Sequence, residues 1–413
     1  MTTATPDVKP SAVNPAPSKP RGGGLEGIVA GETAICSVEQ GALIYRGYEI
    51  HDLAQNATFE EVAHLLLVGH KPSAADLKAF AQEIVAERAL PPLVTEIIQK
   101  TAKLSHTVPM DTLRTAVSAL AHLDPDCQSV DAAANLRKSK RLLAKIPTII
   151  GHMQNVIDGK PIVQPEPSLG HAANLYWMMT GKKCSQQWAR VLDVSLILYA
   201  EHDYNASTFA GRVISGTLSD MHGAVTGAIA ALKGPLHGGA NEAAMDMLRE
   251  IMNDVGEGAI GTPKVDSWMQ NAFDTKRKLM GFGHRVYKNG DHRAPILHNL
   301  GRAVAEKENP TLEGHNAVKW FELGEHVQKI MLDKKSIHPN VDFPCGMTYF
   351  TMGIPVPQYT PIFVAARIAG WAAHIMEQHA NNRLIRPIAD YKGPALKKWN
   401  AESRLTEAPD AMI

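Results

Sequence analysis

Apolar residues recur at helical spacing through most of the chain, and turn residues set the breaks. Val62, Leu65 and Leu66 form a stripe behind Thr58 and Glu61, and that Thr-x-x-Glu spacing predicts a capping box and a helix start. Ser73 predicts the cap of a helix over 74–87, and Pro91-Pro92, Pro109 and Pro147 punctuate further helices. Val191, Leu192, Ser195 and Leu198 predict a helix over 188–202. The stretch 208–232, rich in Ala and Gly, predicts one closely packed central helix, and Ala243, Met247, Leu248 and Ile251 mark another over 240–252. Thr360-Pro361 reads as an N-cap with proline at N1, opening a helix through 377. Period-two alternation is confined to 34–50, where Ile35, Val38, Ile44 and Tyr45 flank Gln40-Gly41 and predict a small hairpin. No repeat of fixed period is present. The pattern is that of an all-α protein.

Composition narrows the function classes. A chain of 413 residues with 45% hydrophobic content can bury a large core, and its length suggests two domains. Formal net charge is zero, so no global field attracts nucleic acid or an anionic membrane. Four scattered cysteines (Cys36, Cys127, Cys184, Cys345) without paired spacing imply a reducing, cytoplasmic setting. No apolar run approaches the eighteen or so residues of a membrane span. Residues 1–24 are rich in Pro, Ala, Thr, Ser and Gly, and are expected to form a disordered tail without a targeting signal. The string Gly22 to Gly27 matches G-x-G-x-x-G but follows no strand, so a dinucleotide site is not expected. Lys138, Lys140, Arg141 and Lys145, on a helix from about 131, read as a solvated charged face. Eighteen histidines occur without H-E-x-x-H or Cys/His ligand spacing, so no metal is expected.

Three stretches carry candidate chemistry. In Gly281-Phe282-Gly283-His284-Arg285-Val286-Tyr287-Lys288, running on to Asp291-His292-Arg293, glycines let the backbone approach a ligand and basic residues follow at once. Alone, this string could be a turn carrying a solvated histidine. In Gly234-Pro235-Leu236-His237-Gly238-Gly239-Ala240-Asn241 the histidine precedes a helix start near Ala240, whose positive end disfavours an imidazolium; a plain capping histidine is the other reading. In Pro339-Asn340-Val341-Asp342-Phe343 partly apolar neighbours are expected to raise the carboxyl pKa, though such an aspartate also suits a turn.

These two histidines and the aspartate, in this order and these settings, resemble the citrate synthase family over nearly the whole chain from about Leu25. The resemblance implies an all-α fold, a large helical domain with a smaller helical one inserted and one small N-terminal hairpin. The expected divisions are a tail at 1–24, the first part of the large domain at 25–238, the small domain at 239–352, and the rest of the large domain with a C-terminal segment at 353–413. It implies His237, His284 and Asp342 as the catalytic set for enolising an acyl-CoA thioester and adding it to oxaloacetate. His202, Arg293, Arg367 and Arg386 match the family's oxaloacetate ligands, with Asn205 and Ser207 as nearby donors. The family's counterpart of Arg386 enters from the neighbouring subunit, so a homodimer is implied. Lys276, Arg277, Lys278, Arg285 and Lys288 look like a coenzyme A phosphate site, and no permanently bound cofactor is expected.

One position departs from the pattern: His292 stands where the family usually has proline or serine, which implies a looser approach to Arg293. The acyl group is not settled by resemblance. His284 to Lys288 resembles citrate-forming members, whereas Asp342 to Gly346 with Tyr349 and Met352 resembles methylcitrate-forming ones. One methylene discriminates by only about 1–3 kcal/mol, so citrate synthase with propionyl-CoA as a second substrate is the first reading and 2-methylcitrate synthase the alternative. A silent scaffold of the same fold would lack one of the three catalytic positions, and all three are present.

Overall fold

The computed structural model describes residues 25, 28–38, 42–284, 286–287 and 289–397. The expected tail, most of the Gly22–Gly27 string and the Gln40-Gly41 turn therefore lie outside the described residues. Strands β1 (Cys36–Ser37), β2 (Ile44–Tyr45) and β3 (Tyr48–Glu49) form an antiparallel sheet with Cys36 opposite Tyr45 and Ile44 opposite Glu49. Helices follow: α1 (Ile50–Asn56), α2 (Phe59–Val68), α3 (Ala74–Ala86), α4 (Pro92–Thr101), α5 (Pro109–Leu120), α6 (Ala132–Asp158), α7 (His171–Thr180) and α8 (Gln186–Tyr199). Then come α9 (Ala206–Ser215), α10 (Met221–Lys233), α11 (Ala240–Val255), α12 (Pro263–Asp274) and α13 (Arg293–Glu308). A second small hairpin, β4 (Thr311–Leu312) with β5 (His315–Asn316), precedes α14 (Ala317–Lys335), α15 (Asp342–Thr351) and α16 (Tyr359–Ala380). No described helix is long and apolar enough to cross a membrane.

The expected caps form where the side chains allow them. Thr58 pairs with Glu61 and Ser73 with Asp76 in capping boxes. Pro147 breaks nothing: it lies inside α6, whose run from Leu142 to Asn155 is wholly buried, and tertiary packing outweighs a missing donor worth about 3 kcal/mol. The helix expected over 208–232 is two helices. Leu218 takes φ +63° and Asp220 caps α10 through the Gly223 amide, so the chain turns between them. Thr360 is not an N-cap, because α16 starts at Tyr359; its amide and hydroxyl instead bond Glu242 of α11, the amide at 3.1 Å. The basic run on α6 is not a solvated face either. Lys138 is fully buried and donates to the carbonyls of Ser129 and Cys127, while Arg141 holds Asp124 at 2.6 Å and Asp126 at 2.5 Å.

The axis of the molecule is α16, buried from Tyr359 to Ile375 and enclosed by α2, α6, α8, α9 and α10. Helices α11 to α15 pack chiefly on one another, joined to the rest where α13 meets α8 and α11 meets α16. His202, His237, His284, Asp342, Arg293 and Arg367 lie along that junction.

Candidate active site

The C-terminal end of α8 supplies the first wall. Tyr45 of the hairpin buries its hydroxyl there and donates to the Glu201 carbonyl at 2.8 Å, fixing the turn that presents His202. The His202 imidazole is buried, with Nε2 3.0 Å from the Tyr287 hydroxyl. Burial first, and then Arg293, His284 and Arg367, hold its pKa well below the ordinary value, so it is neutral. Asn205 caps α9, accepting from the Thr208 amide at 3.1 Å.

His237 follows α10 on a turn that only glycine can close: a Cβ on Gly238 would lie 2.4 Å from the Leu232 carbonyl oxygen. Its Nε2 accepts the Ser207 amide at 3.2 Å and faces the Ser207 hydroxyl at 2.8 Å. Trp371 of α16 donates to that hydroxyl at 3.1 Å. A neutral imidazole whose Nε2 accepts carries its proton on Nδ1. Burial, helped by Arg367, pulls the His237 pKa down to about 4. The helix start that acts on His237 is thus that of α9, not the nearby start of α11. Asn205 and Ser207 commit their hydrogen bonds to the cap and to His237.

The His284 turn is zipped to the segment before Asp342. Gly281 and Gly283 have φ of +85° and +76°. The Gly283 amide donates to the His338 carbonyl (2.8 Å), the Asn340 amide to Gly281 (3.0 Å) and the Asn340 side chain to Gly283 (3.0 Å). His284 Nδ1 accepts the amides of Val286 and Tyr287 at 3.1 and 3.3 Å, so its proton sits on Nε2. The ring stacks on Tyr287 at 4.6 Å and meets His202 edge-on at 5.0 Å. A cavity of about 220 Å³ opens beside His284, lined also by Tyr287, Asp291 and His338.

Asp342 is the first residue of α15. Tyr199, the last residue of α8, donates its hydroxyl to Asp342 Oδ1 at 2.6 Å. Burial pushes the Asp342 pKa up to about 6, opposed by Tyr199, Arg293 and Arg367. Arg293 is buried in a two-pronged pair with Asp291 (3.0 and 2.8 Å), and Asp291 also accepts the Val341 amide at 3.0 Å. Burial disfavours both charges, but each partner outweighs it: the Arg293 pKa is raised and the Asp291 pKa lowered. Arg367 is buried in α16, its Nε donating to the Tyr199 carbonyl at 2.6 Å. Its Nη1 has no hydrogen-bond partner among the described residues, as suits a guanidinium waiting for a carboxylate.

His202, His237, His284, Asp342, Arg293 and Arg367 are thus linked through shared contacts and fields around one junction. Arg386 is not among them: it is exposed on the segment after α16. Lys276 and Lys278 are exposed, Arg277 pairs with Glu250 at 2.6 and 2.5 Å, and Arg285 and Lys288 lie outside the described residues. His292 is exposed at the start of α13, its ring 5.9 Å from Tyr287 and 6.3 Å from His51. Away from the junction, Cys127, Asp220 and His222 bring potential metal-ligand atoms within 4.8 Å of one another. There Asp220 Oδ1 already caps α10, and the Lys138 ammonium bonds the Cys127 carbonyl. Sequence reasoning missed Tyr199, which reads only as a core aromatic; nothing local tells that its hydroxyl meets a carboxylate 143 positions away.

Comparison with known proteins follows the same lines. Residues 24–388 match the family model described as citrate synthase, C-terminal domain. The chain is 40% identical to citrate synthase 2 of Bacillus subtilis over 376 residues, covering 91% of this chain and 97% of that protein. It is 42% identical over 377 residues to 2-methylcitrate synthase 1 of Corynebacterium glutamicum, covering 90% and 94%. A solved ternary complex of citrate synthase from Thermoplasma acidophilum with carboxymethyl coenzyme A and oxaloacetate superposes with a TM-score of 0.83 at 30% identity, covering 92% of this chain and 98% of that one.

Proposed function

The chain belongs to the citrate synthase family, and from that premise we propose that it condenses acetyl-CoA with oxaloacetate to citrate and coenzyme A. Asp342 takes a proton from the acetyl methyl group, and the C–H electron pair passes into an enolate. The Nδ1–H of His237 donates to the thioester oxygen as negative charge develops there. The enolate carbon attacks the oxaloacetate ketone, and the Nε2–H of His284 delivers its proton to the new alkoxide. Water then cleaves the thioester and releases the thiol of coenzyme A. Arg367, Arg293 and His202 hold oxaloacetate, and Asn205 and Ser207 serve by fixing His237.

The observation that carries this reading is that each imidazole has one nitrogen occupied by backbone amides, leaving a single proton on the other. Two neutral donors beside a carboxyl of raised pKa are what thioester enolisation near neutral pH requires. Relatives named 2-methylcitrate synthase match as well as those named citrate synthase, which supports propionyl-CoA as a second substrate and 2-methylcitrate synthase as the alternative reading.

Residues 239–352 act as the small domain and close over bound oxaloacetate, excluding water before acyl-CoA reacts. The functional unit is a cytoplasmic homodimer whose Arg386 reaches the neighbouring site, and the exposed Lys276 and Lys278, with Arg285 and Lys288, receive coenzyme A phosphates. Thiol release with each acyl-CoA plus oxaloacetate tests the reading. A higher kcat/KM with acetyl-CoA is expected; a clear propionyl preference selects the alternative, and no release with either refutes both. Asp342→Ala is expected to lower kcat roughly 10²–10⁴-fold while oxaloacetate still binds.

A further inference from the structure

We propose that Tyr199 is the positioning residue of the base: its hydroxyl occupies Asp342 Oδ1, so that Oδ2 alone takes the substrate proton. The inference deepens the proposed function and rests on Asp342 being that function's base. Three observations carry it. The Tyr199 side chain is buried, its ring packed 4.3 Å from Phe363 of α16, so the hydroxyl is held where it is. Its oxygen lies 2.6 Å from Oδ1, within the range of a hydrogen bond to an ionised acceptor. Its backbone carbonyl accepts from Arg367 Nε, so one residue touches both the base and a guanidinium.

The direction of that bond is fixed. Burial drives the Tyr199 pKa well above the ordinary phenol value, so the phenol keeps its proton and donates it to the ionised carboxyl. A carboxylate oxygen that already accepts a donor hydrogen is the less basic of the two. The proton from the acyl methyl group therefore goes to Oδ2, and the Tyr199 bond persists through the step. The hydrogen bond also favours the ionised carboxyl, countering the burial that raises its pKa. The charged and titratable groups around the carboxyl are Arg293 and Asp291 at the start of α13, Arg367 on α16, and Cys345 on α15. Removing the phenol oxygen leaves the two arginines and Asp291 as they are; it also takes a hydrogen-bond partner from the Cys345 thiol, which burial keeps neutral.

The test is Tyr199→Phe, which keeps the ring against Phe363 and the carbonyl on Arg367. The Asp342 carboxyl is titrated by carbon-13 NMR, assigned by its disappearance in Asp342→Asn, alongside the pH profile of kcat/KM. We expect both the titration and the acidic limb to move up by roughly one pH unit, kcat to fall about tenfold or more, and oxaloacetate affinity to stay the same. An unmoved titration overturns the proposal even if turnover drops. A moved titration in a protein that releases no thiol with either acyl-CoA leaves the hydrogen bond standing and sinks the catalytic reading instead. Site-specific 3-fluorotyrosine at 199, a stronger donor of nearly the same shape, is expected to move the titration down; a shift upward overturns the proposal.

Discussion

At the residue scale, Asp342 trades stability for reactivity. Its folded pKa lies near 6, above the roughly 3.9 of an unfolded aspartate. A carboxyl whose pKa is raised by folding resists ionisation in the folded state, so the fold bears a cost that is absent below about pH 4 and complete above about pH 6. Asp342→Asn is therefore expected to stabilise the protein by about 1–3 kcal/mol above pH 6 while lowering kcat roughly 10²–10⁴-fold. Denaturant titrations at pH 4 and pH 7.5 check this, since the gain should vanish at the lower pH. The same shift sets the acidic limb of kcat/KM near pH 6, with activity rising as the base loses its proton. His237, His284 and Asp342 were legible because each sits in a local string of unusual composition. What holds them was not legible: Ser207 beneath His237, Trp371 beneath Ser207 and Tyr199 on Asp342 are brought in by packing across 30 to 164 positions of chain.

At the element scale, the glycine-flexed turn is tightly constrained. A Cβ at Gly281 would sit 3.0 Å from the Cβ atoms of Ala244 and Phe343, on a backbone of φ +85°. Gly281→Ala is expected to cost about 2–4 kcal/mol in chemical denaturation, and to lower kcat more than oxaloacetate affinity, because the turn carries His284. Wild-type-like unfolding would show that the turn relaxes freely. Helix starts at Thr58 and Ser73 were readable because capping boxes are local chemistry. The break between α9 and α10 was not, because Leu218 in a left-handed conformation leaves no trace in hydropathy. Pro147 misled in the opposite sense: a proline signals a break only where packing on both sides is too weak to keep the helix whole. The basic run on α6 misled because charge pattern alone cannot tell water from Asp124, Asp126 and buried carbonyls.

For the whole molecule, the proposed homodimer raises the question of whose site Arg386 would serve. Mixing Asp342→Ala subunits with Arg386→Ala subunits distinguishes the possibilities. If the arginine crosses the interface, the hybrid dimer places both lesions in one site and leaves the other intact, so mixing two nearly inactive proteins restores activity. If each subunit uses its own Arg386, every site in the hybrid carries one lesion and no activity returns. Measured thiol release after unfolding and refolding an equimolar mixture decides it. The all-α architecture was legible from periodicity, whereas the role of α16 as the axis was not, since an Ala- and Gly-rich 208–232 reads more strongly as the centre than a helix carrying Arg367 and His374.

The hydrogen bonds that fasten the Gly281–Gly283 turn to His338 and Asn340 make His284 and Asp342, the proposed proton donor for the alkoxide and proton acceptor for the methyl group, travel as one plate. Any hinge between the two sets of helices leaves their separation unchanged and alters their reach to His237, Tyr199 and His202, which ride on the other side. With the cleft ajar, the acceptor would lack the Tyr199 hydroxyl that aims it, and the hand that must steady the thioester oxygen would be out of range. An acyl-CoA that arrives early would then simply wait, its energy-rich bond unspent, until the keto acid has drawn the halves together.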